Sequence, residues 1–73
     1  MVKVVYRDGN SEVFPTNDYS HSSEHKMFFV VIGGCRLMIP DDAVRTIGKG
    51  RVDTIVAMSN GEQSVLKEVF VYE

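Results

Sequence analysis

The dipeptide Asn60-Gly61 sits between the run from Val52 to Met58 and a second run that ends Val69-Phe70-Val71-Tyr72. Asn-Gly accepts the positive φ values that a two-residue hairpin turn demands, and both flanks are rich in β-branched and aromatic residues. The same punctuation occurs twice earlier, at Asp8-Gly9-Asn10 and at Gly33-Gly34. A chain of 73 residues that reverses direction three times in this way is predominantly antiparallel β, joined by hairpins.

Strands are expected over residues 2–7, 11–14, 27–32, 35–39, 52–58 and 63–72. Pro15 ends the second and Pro40 the fourth, because proline removes a ladder donor. Leu66, Val69 and Phe70 also fall at helical spacing, but the β-branched and aromatic content of 69–72 favours a strand there. Asp41 or Asp42 is expected to cap a short helix over residues 43–47, with Gly48 as its stop and Val44 and Ile47 on its inner face. The expected fold is mainly β, with about six strands and one short helix in a small antiparallel barrel or a strongly curved sheet.

Two segments depart from simple alternation. Residues 27–32, MFFVVI, are apolar at every position and so ask for cover on both faces, from a helix, the far wall of a barrel or another molecule. Residues 15–26, PTNDYSHSSEHK, contain one aromatic and no aliphatic side chain. They are expected to form a polar loop, the one segment that a partner would have to order.

The length allows one domain, residues 1–73, and a hydrophobic content of 44% excludes a disordered chain. Eight Lys and Arg against ten Asp and Glu leave a net charge of −2, which gives no overall attraction to nucleic acid or anionic membrane. Cys35 stands alone and cannot form an internal disulfide. With no leader pattern and no apolar run of spanning length, a cytoplasmic location without a membrane partner is expected.

His21-Ser22-Ser23-Glu24-His25 spells H-x-x-E-H, a zinc-peptidase signature. That chemistry needs a helix to bring both imidazoles to one face, together with a third ligand and a cleft. These are the chain's two histidines, their flanks are serines and a β-run, and they stand as metal candidates only. No serine, threonine or cysteine has an ordered histidine beside it in a recognisable pattern, and the glycines lack phosphate-loop spacing. Neither catalysis nor a cofactor is expected.

Two charged groups remain as binding candidates. Asp18, Glu24, Asp41 and Asp42, with the aromatic residues Tyr19 and Phe28, offer a protein partner acidic groups and apolar anchors. Arg36, Arg45, Lys49 and Arg51 are a local excess of positive charge that suits phosphates or an acidic partner.

The stretches VKVVYRDGNSEVF and FFVVIGGCRLMIPDDAVRTI, within residues 2–47, resemble the opening hairpin and the later strand-turn-strand of Sm-like barrels. That resemblance implies a ring oligomer that binds RNA. Residues 36–61, RLMIPDDAVRTIGKGRVDTIVAMSNG, resemble the AbrB/MazE swapped-hairpin DNA-binding proteins, which implies a nucleic-acid role for Arg45. The combination Y-x-D-G-x-x-E-x-F with I-P-x-D-A-V-x-x-I is similar to small proteins of bacterial viruses and mobile elements. Such proteins are mostly non-enzymatic, and the resemblance implies docking on a host enzyme or defence complex, in the manner of an anti-CRISPR protein.

The expected function is therefore a non-enzymatic protein-binding module, an inhibitor or regulator of a larger host protein that also forms a homodimer. Its motive is physical: residues 27–32 and 65–72 offer more apolar surface than so small a fold can hide. An oligomeric nucleic-acid binder using Arg36, Arg45, Lys49 and Arg51 is the less favoured alternative.

Overall fold

The computed structural model describes residues 1–73. Seven strands follow one another along the chain: β1 (Val2–Tyr6), β2 (Ser11–Phe14), β3 (Tyr19–Ser22), β4 (Met27–Ile32), β5 (Cys35–Pro40), β6 (Val44–Ser59) and β7 (Glu62–Tyr72). They form two antiparallel sheets, one of four strands in the order β2-β1-β6-β7 and one of three in the order β3-β4-β5. No closed barrel forms, because β3–β5 pair with neither edge of the four-stranded sheet. No helix is long and apolar enough to cross a membrane.

The expected hairpins form where turn chemistry places them. Gly33 and Gly34 have φ of 55° and 81°, and Asn60 and Gly61 have 54° and 78°. In both turns the two central residues are left-handed, as a tight hairpin requires. Gly9 at φ 94° completes the first turn, which the Asp8 carboxylate closes by accepting the Asn10 backbone N–H at 2.9 Å.

Two local expectations are corrected. The polar stretch 15–26 is not all loop, because Tyr19–Ser22 pairs with β4 as β3. The open edge of β4 supplies a backbone partner for each residue there, which outweighs the weak strand propensity of serine and histidine. The turn back to β4 contains no glycine, and Lys26 adopts φ 55° instead.

The helix expected over 43–47 is reduced to a 3-10 turn at Asp41–Ala43 without a side-chain cap bond, and Val44 already begins β6. The competing influence is β1, whose free edge pairs with residues 44–49. Val44, Thr46 and Ile47 are β-branched and accept the extended form readily. Arg45 is the extra residue of a bulge, since Val5 opposes Thr46 and Tyr6 opposes Val44.

Within the chain β4 is covered on one face only, so of the covers that its apolar run asks for, neither a helix nor a barrel wall is present. Val2, Val4 and Val44 from the four-stranded sheet meet Val30 and Ile39 from the other, and these five form the core. Tyr6, Phe14, Tyr19, Phe28, Ile32 and Ile47 pack around them. No buried side-chain nitrogen or oxygen lacks a hydrogen-bond partner.

Beyond Lys49, β6 leaves β1 and continues with β7 as a two-stranded arm. Gly50 marks the departure: its N–H donates to the Met1 carbonyl, and the Met1 amino group donates back to the Gly50 carbonyl at 2.9 Å. A Cβ on Gly50 would collide with the Val71 carbonyl oxygen, and one on Gly48 would lie 2.9 Å from the Tyr72 ring. Glycine is therefore required where the aromatic residues of β7 cross over β6. A second bulge, with Leu66 as the extra residue, lies midway along the arm.

The arm makes the molecule long, with extents of 57 × 27 × 18 Å. Its radius of gyration of 15.6 Å exceeds the roughly 11 Å of a compact chain this long. Its accessible surface is 5285 Å², against about 4,500 Å² for a compact chain of 8.2 kDa.

Candidate functional site

Strand alternation gives the three-stranded sheet two unlike faces. Tyr19, His21, Phe28, Val30 and Ile39 face the core, and Ser20, Ser22, Met27, Phe29, Val31, Arg36 and Met38 face away from it. Ser22, His25, Met27, Phe29, Arg36 and Met38 line a cavity of 440 Å³ on that outer face. Its floor is apolar, and Met38 is 63% exposed. The Arg36 guanidinium carbon lies 4.7 Å from the centre of the Phe29 ring, a cation–π contact. No carboxylate pairs with Arg36, so its N–H groups stay available to an acceptor from outside.

The histidine motif is divided between a strand and a turn. The His21 Nε2–H donates to Asp41 Oδ2 at 3.0 Å, and its ring packs 4.6 Å from Phe28. His25 Nδ1 is 2.9 Å from the Ser22 hydroxyl, which also accepts the His25 backbone N–H at 3.2 Å. The first bond ties β3 to the 3-10 turn, and the others close the β3–β4 turn. No three His, Cys, Asp or Glu side chains converge on a point where a metal ion would sit.

The acidic candidates lie at two ends of one sheet. The Asp41 backbone N–H donates to the Lys26 carbonyl, which brings Asp41 and Asp42 beside the turn that carries Glu24. Asp18 is at the far end of β3, where its carbonyl accepts the Val31 N–H. Tyr19 and Phe28 are half-buried against the core and are not on the outer face. The aromatic residue that does face outward is Phe29. Strict alternation outward from Val30 would have identified it, but in a run that is apolar throughout nothing marks which residue is the inward one.

The cations are also dispersed. Arg36 lies on the three-stranded sheet, whereas Arg45, Lys49 and Arg51 lie along β6. The Arg45 guanidinium donates to the Arg7 carbonyl at 3.2 Å, and Arg51 pairs with Asp53 at 3.1 Å. Cys35 is exposed beside the Gly33-Gly34 turn.

A second uncovered surface lies on the four-stranded sheet. Its outward face carries Val13, Val5 and Lys3, then Val52, Phe70 and Tyr72, then Val56, Val65 and Met58 toward the arm tip. The Lys3 Nζ is 5.8 Å from the centre of the Phe70 ring, and the Phe70 and Tyr72 rings meet edge to face at 4.9 Å. Met58 and Val65 are each 67% exposed. The apolar content of 65–72 is plain in the sequence, whereas the placing of β1 residues on the same face follows only from strand pairing.

No protein-family model matches the chain, and neither curated proteins nor solved structures yield a significant match.

Proposed function

We propose that the protein is a non-enzymatic binding module that docks on a larger protein through the outer face of β3–β5. One observation carries the reading: the cavity there joins an apolar floor of Met27, Phe29 and Met38 to an arginine with no acidic partner of its own. Such a surface suits a partner that presents an apolar anchor beside a carboxylate. The anchor gains from leaving water, and the carboxylate meets guanidinium N–H groups already held in place over Phe29. In the cell this docking acts as inhibition or regulation of the larger protein, in keeping with the likeness to small phage and mobile-element proteins.

Met38 is mostly exposed, so Met38→Asp tests the surface without touching the core. Affinity capture from the native host should retain a protein with the wild type and lose it at least about tenfold with Met38→Asp. Equal retention by the variant refutes docking on this face. Binding to mixed DNA and RNA that falls steeply with rising salt replaces it with the nucleic-acid reading.

A further inference from the structure

We propose that the outward face of the four-stranded sheet is covered by a second copy of this chain, packed sheet on sheet with the arms pointing in opposite directions. This interface is separate from the cavity on β3–β5, and either can stand without the other.

Charge is the first argument. At the sheet positions of this face two residues are charged, Lys3 and Glu68. Lys3 lies opposite Gly48 and Glu68 opposite Thr54, positions about 20 Å apart along β6. The point midway between them falls beside Val52 and Phe70, in the apolar part of the face. A two-fold axis through that point, in the plane between two sheets, carries Lys3 of one copy over Glu68 of the other, twice. An interface between identical chains has to be self-complementary, and one cation and one anion placed evenly about an apolar centre meet that condition.

Area is the second argument. The chain, at 5285 Å² against about 4,500 Å², exposes about 785 Å² more than a compact chain of its mass, close to the roughly 800 Å² each partner buries in a stable interface. The arm tip extends the apolar stripe as far as Met58. Two sheets joined in this way make a sandwich with a common apolar layer.

Sedimentation equilibrium should show a dimer for the wild type. Glu68→Lys alters an exposed side chain and should raise the dissociation constant at least about tenfold, by replacing two attractions with two repulsions. Lys3→Glu should do the same, and the double variant K3E/E68K should restore the dimer. Because Lys3 also rests on Phe70, a second readout avoids any dependence on that variant's folding. Carbodiimide treatment of wild-type chains, mixed with and without heavy-nitrogen labelling, should form Lys3–Glu68 amide links between unlike chains. Met38→Asp should leave the dimer intact, which separates this interface from the proposed docking face. A wild-type chain that stays monomeric up to about 100 µM overturns the proposal, because interfaces of this area associate at micromolar or tighter. A dimer indifferent to the charge swap, or without the interchain link, overturns it equally.

Discussion

The body and the arm are built from the same kind of strand and are held together differently. In the body, β1, β4, β5 and the start of β6 place Val2, Val4, Val30, Ile39 and Val44 in contact, and all five are shielded from water. In the arm, β6 and β7 bond to each other from Gly50 to Tyr72, and no residue beyond Gly50 is buried. Ladder hydrogen bonds replace bonds to water and contribute little net free energy, whereas apolar burial contributes about 25 cal/mol per Å². An isolated two-stranded ribbon is marginal by itself, so this arm is the part whose stability a partner would raise most. The contrast shows that strand formation and strand stability have separate sources.

The largest test sets the two regions against each other directly. Val30→Ala removes two buried methylene equivalents and leaves a cavity, and should cost about 2–3 kcal/mol, a fall in Tm of roughly 10–20 °C. Val65→Ala, at an exposed arm position, should change stability by less than about 0.5 kcal/mol. Thermal unfolding followed by circular dichroism measures both, and similar losses would mean that the arm is packed against something.

The joint between the regions gives the next effect. Gly50→Ala forces a methyl group against the Val71 carbonyl and should cost about 2 kcal/mol. Gly48→Ala meets the edge of the Tyr72 ring, which can turn aside, and should cost less. Denaturant midpoints order the two, and a harmless Gly50→Ala would show that the arm leaves the body at a different angle.

The smallest effect sharpens the picture of the body's rim. The Tyr6 hydroxyl donates to Glu12 Oε1 at 3.0 Å, joining β1 to β2. Burial, then the Glu12 hydrogen bond and the negative charges of Glu12 and Asp8, push its phenol above 10.0. Because the folded value lies above the unfolded one, the linked stability is fully present below pH 10 and is lost as pH rises through the folded value. Glu12→Gln should bring the Tyr6 titration, followed by NMR of its ring, down toward 10.0 and flatten the alkaline loss of stability. An unchanged midpoint would mean that the bond does not persist in solution.

The three hairpins, the stop at Pro15 and the strand at 62–72 were all legible, because each rests on residues within a few positions of one another. The strand at Tyr19–Ser22 was not legible, since its cause is the open edge of β4 eight residues downstream. Val44–Ile47 carried helical signals, a capping acid and a glycine stop, that were overruled by pairing with β1 at the other end of the chain. Among the site residues, Met27, Phe29 and Met38 were visible as apolar but not as a floor, and Arg36 was visible as a charge but not as a group resting on Phe29. Phe28, offered as an apolar anchor, packs against the core, and Phe29 is the ring of β4 that faces outward.

By itself the sequence determined that this chain is β, where its three glycine-bearing hairpins turn, and that its apolar content exceeds what so few residues can enclose. Those properties depend on local backbone preference and on composition, which neighbouring residues settle between them. The tertiary structure alone decided that the strands divide into two sheets, that β6 outruns β1 into an arm, and which side of each strand stays wet. Pairing of a strand edge is open to any other edge in the chain, and a shift of one residue exchanges the buried face for the exposed one.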